Sequence, residues 1–480
     1  MAGSITGAAG QPALTPSSSK AALPSNYITN FDFLNQYLPD TYEKEFERYG
    51  NRSISAFLRM VGAEMPTNSD LIKWEEQGRL HTKFEGVTTG SADAGNVGTF
   101  TLAGNGTAAA EFCNFRVGQT VMLSDGTAAS TASNKAIITA VTVGSGTTAG
   151  TFTVSYYEAG GQAAGMQASA NIVVYVYGSE FNKGANGMSG SLEADPVIKD
   201  NKPIIIKDKY VVSGSDMAQI GWVEVTSENG ASGYLWYIKS EHETRLRFDD
   251  YLEMAMIEGV PAAVGSGVAA LSASGQLGNQ GTKGLFHEIE NNGNVWSGGN
   301  PTALADFDAI IQRLDKQGAI QENVLFVNRD FGFDIDDMLA AQNSYGAGGT
   351  SYGLFDNDEE MALNLGFSGF KRGYEFYKSD WKYLNDATLR GGLVGGAVNG
   401  VLVPAGSTNV YDQVMGRNAK RPFLHVRYRA SETEDRRYKT WMTGSAGGAA
   451  TSDLDAMEVN FLSERALCTL GANNFFIFKD

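Results

Sequence analysis

The sequence predicts an α+β fold that carries a separate all-β domain, and three observations predict it. Between Val87 and Gly178 only six of 92 residues are charged, against 19% for the whole chain, yet β-rich runs recur there between turn formers. One long helical stretch runs from Tyr234 to Glu258 and is stopped by Gly259 and Pro261. Beyond residue 300, helices and strands alternate without the regular order of a doubly wound nucleotide fold.

The first 24 residues are rich in Ala, Gly, Ser, Thr and Pro. They lack the basic and apolar regions of a signal peptide and read as a flexible arm. Three helical pieces are expected next. Asp40 caps Thr41–Tyr49, with Gly50 as its stop; a second piece covers Ser53–Val61. In the third, Thr67 and Asp70 stand at capping-box spacing ahead of Leu71, Ile72 and Trp74.

In the charge-poor stretch the β-rich runs are Thr99–Leu102, Val121–Leu123, Ala136–Val143, Thr151–Tyr157 and Ile172–Tyr177. Asp125-Gly126, Gly144-Ser145-Gly146 and Gly160-Gly161 lie between them as turns. The pattern predicts a small barrel or sandwich at 87–178, with a surface suited to contacts with other proteins. In residues 179–232, Ile204–Ile206 and Tyr210–Val212 flank Lys207-Asp208-Lys209 as a hairpin, and a strand covers Trp222–Val225. Such an excursion has few ways to bury itself alone. The long helix has Leu246, Phe248, Leu252, Ala255 and Met256 on its apolar face, with Glu241–Arg245 and Glu243–Arg247 spaced as ion pairs. At about 1.5 Å per residue it is nearly 40 Å long, which suits a spine.

In the C-terminal half, Asn300 caps and Pro301 starts a helix with the stripe Phe307, Ile310, Ile311 and Leu314, closed by Gly318. A strand at Val324–Val327 and a helix at Asp334–Gln342 follow. Further strands are expected at Tyr374–Tyr377, Val401–Val403, Leu424–Tyr428 and Phe475–Phe478.

Composition narrows the function. The 480 residues hold 37 Lys and Arg against 54 Asp and Glu, a net charge of −17. This argues against a dedicated nucleic-acid or anionic-membrane surface. No run is long and apolar enough for a transmembrane helix. Cys113 and Cys468 are too few for a disulfide framework and are expected as free, buried thiols.

No catalytic, cofactor or metal residues are assigned. Gly265-Ser266-Gly267-Val268-Ala269-Ala270 matches a dinucleotide fingerprint but follows a helix where a strand is required. His81, His242, His287 and His425 have no ligand-pair spacing, and no nucleophile elbow accompanies them. Asp356, Asp358, Glu359 and Glu360 begin like a calcium loop, but Met361 stands where Gly is needed. The basic groups Arg436-Arg437 with Lys439, and Lys420-Arg421, are short and offset by acids, so they suit subunit salt bridges better than DNA. Trp222, Trp236 and Tyr237 are candidate interface anchors, as are Lys207 and Lys209 in the excursion and Arg436 and Arg437.

The order of arm, β-excursion, long helix and mixed domain resembles the Hong Kong 97-type major capsid protein of tailed bacteriophages. More narrowly, Asn30–Pro39, Tyr49–Arg52, Val324–Asn328 and Asn474–Phe478 resemble capsid proteins of crAss-like phages. The resemblance implies an N-terminal arm at 1–60, the start of the P-domain at 61–86, an inserted β domain at 87–178 and an E-loop-like excursion at 179–232. It further implies a P-domain with the spine helix at 233–299, an A-domain at 300–450 and a return to the P-domain at 451–480. The implied function is self-assembly into hexamers and pentamers of an icosahedral head around double-stranded DNA, in the virion shell after assembly in the bacterial cytoplasm. The implied partners are copies of itself and portal, auxiliary capsid or head-fibre proteins, with no membrane and no enzyme activity. The alternatives are another virion or surface protein (tail, fibre or S-layer) and an unrecognised hydrolase.

Overall fold

The computed structural model describes residues 63–479 except 79–80, 90–95, 103–112, 128–130, 146–147, 164–165, 167–170, 191–196, 219–224, 227–231, 234–235, 271–278, 344–367, 394–395, 413–416 and 449. The arm, the helices expected at Thr41–Tyr49 and Ser53–Val61, Trp222 and the acidic run at 356–360 lie outside the described residues. The chain divides into two compact units. Of the described residues, the smaller comprises those within Ile206–Leu252 and Tyr438–Ser463; the larger comprises those within 63–205, Glu253–Arg437 and 464–479.

The larger unit opens with two short strands, β1 (Ala63–Thr67) and β2 (Ile72–Glu76), where the capping-box spacing predicts a helix. The polar side chains between them serve a bend. The Ser69 hydroxyl donates to the Leu71 carbonyl at 2.9 Å and accepts from the Leu71 N–H at 3.3 Å. Both strands find partners more than a hundred residues away in the chain, and such pairing overrides a local helix signal.

Six strands then close into a barrel: β3 (Lys83–Thr89), β4 (Val97–Thr101), β5 (Gln119–Asp125), β6 (Ser133–Thr142), β7 (Thr151–Tyr156) and β8 (Ile172–Ser179). Its order is β3-β4-β7-β6-β5-β8, antiparallel throughout. Strict alternation sends Phe152, Val154 and Tyr156 inward along β7. Phe152 stacks on Phe100 at 5.3 Å and meets the edge of Phe115 at 4.9 Å. With Val121, Leu123, Ile138, Ile172 and Val174 they form a core of the barrel's own.

β9 (Val197–Asn201) pairs antiparallel with β2, and β10 (Ile204–Ser213) follows. Lys207-Asp208-Lys209 is not a hairpin turn: β10 runs straight through it. It lacks the Asn-Gly or Asp-Gly pair of a tight hairpin turn, and its burial alternates along the strand. The buried Asn201 side chain fixes the bend between β9 and β10. Its Nδ2 donates to the Lys283 carbonyl at 2.9 Å and the Leu467 carbonyl at 2.7 Å. Its Oδ1 accepts from the N–H groups of Lys202 and Lys283, each at 2.8 Å, and from the Thr282 hydroxyl at 3.0 Å. A two-residue pair, β11 (Val225–Thr226) with β12 (Ser232–Gly233), precedes the long helix α1 (Trp236–Glu258).

Helix α2 (Leu285–Asn292) leads into strand β13 (Asn294–Ser297), helix α3 (Leu304–Gln317), strand β14 (Glu322–Val327) and helix α4 (Arg329–Asn343). Helix α3 begins later than Asn300 and Pro301 predict. Asp306 Oδ2 accepts from the Thr302 and Ala303 N–H groups, while Asn300 Nδ2 donates to Asp334 Oδ2 at 2.7 Å. Gly318, at φ 69°, ends the helix in the left-handed region.

Strands β15 (Gly369–Arg372), β16 (Tyr374–Asp380) and β17 (Val398–Pro404) come next, then the hairpin β18 (Ser407–Asp412) and β19 (Arg417–Pro422). The last four are β20 (Leu424–Arg429), β21 (Lys439–Gly444), β22 (Ala456–Thr469) and β23 (Phe476–Lys479). A six-stranded mixed sheet has the order β13-β23-β17-β14-β16-β15. Phe307, Ile310 and Leu314 of α3 and Phe331 and Ile335 of α4 pack with Leu325, Phe376, Leu402 and Phe478 from its strands. Strand β20 runs parallel to β1 and antiparallel to the second half of β22.

Candidate assembly surfaces

In the smaller unit β10 and β21 flank the first half of β22, and α1 covers one side of this sheet. Phe248 and Leu252 of the helix are buried against Val212, Met457, Val459 and Phe461. Phe248 stacks on Phe461 at 5.7 Å and presents an edge contact to Tyr438 at 5.4 Å. Burial, helped by the nearby Asp249 charge, pushes the Tyr438 phenol up to about 12. On the helix side, Arg247 Nε pairs with Asp208 Oδ2 at 3.3 Å, and Lys239 pairs with Glu243 at 3.7 Å.

Alternation turns Lys207, Lys209 and Val211 of β10 to the opposite side. There Lys209 Nζ meets Glu458 Oε1 at 3.3 Å. Glu458 Oε2 accepts from the Thr443 hydroxyl at 3.1 Å, and Asn460 Nδ2 donates to the same hydroxyl oxygen at 3.1 Å. The Lys439 ammonium sits 5.8 Å from the centre of the Trp441 ring. Trp441 is directly opposite Asn460 and Thr443 opposite Glu458, so these side chains share one face. Trp441 stays 36% exposed and Val211 45% exposed on it. A fixed polar network beside open apolar groups is the composition of an interface.

The structure thus brings Lys207 and Lys209 to one face. Tyr237 packs instead at the margin of the core under α1. Trp236 is the first residue of α1, and its side chain, like all of Trp222, lies outside the described residues. Arg436 and Arg437 belong to other surroundings, in the larger unit. Arg436 Nε pairs with Glu464 Oε2 at 2.7 Å; Arg437 pairs with Glu64 and sits 5.7 Å over the Tyr428 ring. Glu64 also meets Arg465 at 3.7 Å. These arginines have carboxylate partners within the chain. Sequence reasoning missed Trp441, although its aromatic ring in the run Lys439–Gly444, flanked by threonines, is a strand signal.

Burial pushes the Cys468 thiol up to about 12 and raises that of Cys113, which disfavours the thiolate form at neutral pH. Both cysteines are free and buried. Gly265-Ser266-Gly267 lies in an irregular loop, with Gly265 at φ 80°. Among the described residues no group of three or more His, Cys, Asp or Glu is placed to hold a metal, and no helix is long and apolar enough to cross a membrane.

No family model and no curated protein matches the chain. Solved structures similar to it include one described as Gordonia phage Cozz, at 9% identity and a TM-score of 0.39, covering 97% of this chain and 98% of that one. Another is the capsid of a native GTA particle, at 9% identity and a TM-score of 0.37, covering 93% and 95%. A third is the asymmetric unit of the bacteriophage PhiM1 mature capsid, at 10% identity and a TM-score of 0.31, covering 63% and 78%.

Proposed function

We propose that this chain is a major capsid protein of a tailed bacteriophage, of the Hong Kong 97 type and nearest to crAss-like phages. In this reading it assembles into hexamers and pentamers of an icosahedral shell that encloses double-stranded DNA. The observation that carries the reading is the sheet of the smaller unit. Helix α1 seals one side, while the other leaves Val211 and Trp441 in water beside the Lys209–Glu458–Thr443–Asn460 network. A lone subunit gains nothing from that face; a neighbouring copy covers it. The regions 1–60, 61–86, 87–178, 179–232, 233–299, 300–450 and 451–480 then act as arm, P-domain start, insertion, E-loop, spine, A-domain and closing segment. Lys207 and Lys209 are interface residues in this scheme, and portal, auxiliary capsid or head-fibre proteins are the further partners. The net charge of −17 suits a shell that encloses DNA without gripping it.

The test is to produce the full chain in bacteria, alone and with the phage's scaffold and portal proteins, and to inspect it by electron microscopy and sedimentation. Closed shells are expected. A chain that stays monomeric under all these conditions overturns the reading, and tubes or fibres favour the tail or surface alternative. The double variant Val211→Asp, Trp441→Asp is expected to cut shell yield at least tenfold with an unchanged melting temperature.

A further inference from the structure

The barrel carries a second surface feature of its own. An open groove of about 550 Å³ on its outside is lined by Thr120, Lys135, Tyr157, Tyr177, Ser179 and Glu180, together with Gly178. Tyr157 and Tyr177 are each 49% exposed, and Tyr175, two residues before Tyr177 on β8, is 41% exposed. Exposed aromatic rings on a surface otherwise built of Thr, Ser, Ala and Gly are unusual, because a ring held in water forfeits its burial energy.

The polar groups around the rings are held in place. The Tyr157 hydroxyl donates to Glu180 Oε2. The Glu180 N–H donates to the Gly118 carbonyl at 2.9 Å, which fixes the backbone that presents the carboxylate. The Lys135 ammonium lies 6.0 Å from the centre of the Tyr177 ring, and the Lys135 N–H donates to Glu158 Oε1 at 3.4 Å. Two phenol faces, a carboxylate, an ammonium and two hydroxyls therefore converge on one groove.

The chemistry of this lining selects its ligand. A pyranose ring has an apolar C–H face that lies flat on an aromatic ring, and a rim of hydroxyls that both donate and accept. Glu180 accepts such hydroxyls, Lys135 donates to them, and Thr120 and Ser179 do both. The volume lies within the range of small-molecule sites lined by aromatics with a few convergent polar groups. An anionic polymer is disfavoured, since a single ammonium is matched by a carboxylate. A protein partner needs a contact face of roughly 800 Å² with an apolar centre, and tyrosines rimmed by hydroxyls do not supply that centre. We propose that this groove binds a neutral oligosaccharide, with Tyr157 and Tyr177 as stacking platforms and Glu180 and Lys135 as hydroxyl partners.

Saturation-transfer NMR on the full chain tests this with three probes: maltotriose, triacetylchitotriose and N-acetyllactosamine. Transfer to the ring C–H protons of at least one sugar is expected. Tyr177→Ala should weaken that binding at least tenfold, and Tyr157→Phe, which keeps the ring but frees Glu180, should weaken it less than Tyr157→Ala. Tyr377→Ala, at an exposed tyrosine of the mixed sheet, should change nothing. No transfer from any of the three sugars overturns the proposal, as does binding that survives Tyr177→Ala and Tyr157→Ala together. Melting curves of the variants separate loss of binding from loss of fold. The outcome does not depend on whether the chain forms shells.

Discussion

Removing the Asn201 side chain should loosen the root of the β9–β10 excursion more than any exposed change along it. Asn201 is 3% exposed and makes five hydrogen bonds, to Lys202, Lys283 twice, Thr282 and Leu467. A typical hydrogen bond contributes about 1 kcal/mol net, and a buried group left without its partner costs about 1–3 kcal/mol. Asn201→Ala strips both carbonyls of their side-chain donor and three donors of their acceptor. Some of these groups are half-buried and regain water, so the expected loss is about 3–5 kcal/mol. Asn201→Asp separates packing from bonding. It keeps the three accepted bonds but turns a carboxylate oxygen toward the carbonyls of Lys283 and Leu467, so it should be no more stable than Asn201→Ala. The assay is urea unfolding of the full chain followed by tryptophan fluorescence, with hydrogen exchange at the Lys283 amide as a local readout. If Asn201→Ala stays within about 1 kcal/mol of the parent and the Lys283 amide keeps its protection, the account of this junction is wrong.

Phe152→Ala should cost about 3–5 kcal/mol, because it opens a cavity between Phe100 and Phe115 that a closed barrel cannot collapse; exchange protection should fall first in β4 and β7. Cys113 and Cys468, each 1% exposed and both shifted toward the neutral thiol, should resist a thiol reagent at pH 8 and react only in denaturant. The Lys283 ammonium, 2.7 Å from Asp200, holds that carboxyl below its ordinary value of 3.8. The stabilisation is therefore present above that value and is lost as pH falls through the lowered one. The stability gap between the parent and Lys283→Met should be constant from about pH 5 to 7 and narrow below about pH 4, and a gap that widens on acidification would contradict the pairing.

What could be read from the sequence depended on whether local pattern and long-range pairing agree. They agree in β7 of the barrel, where alternation is strict and Gly150 and Gly160-Gly161 flank the strand. They agree also in α1 and in the stripe of α3. They disagree at Thr67–Trp74, where a capping spacing sits in segments held extended by β20 and β9. Strand β3 escaped notice because it begins among charged residues and carries a bulge between Phe84 and Val87, with Gly86 at φ 68°. Strand β17 was legible only in part, at Val401–Val403, because it is buried on both faces and its run has no period to mark its start. The proposed assembly face was half legible. Lys207 and Lys209 could be placed in the excursion, but Trp441 joins them only through the pairing of β21 with β22, which no local signal encodes.

The barrel's construction bears on the independence of the two proposed surfaces. Its first and last strands, β3 and β8, are neighbours, with Lys83 opposite Tyr175 and the Val176 N–H donating to the Thr82 carbonyl at 3.3 Å. The chain therefore joins and leaves the barrel at one place. Closure removes the open strand edges on which another chain could pair. Residues 87–178 also hold just two cations and four anions, so −15 of the −17 lies elsewhere. A closed, nearly uncharged barrel neither pairs edge to edge nor contributes strongly to the field of the whole chain. Its tyrosine groove belongs to the larger unit, and the sheet under α1 to the smaller. The two proposed surfaces should accordingly respond independently to mutation, which additivity of the Tyr177→Ala and Trp441→Asp effects on sugar binding and shell yield would measure.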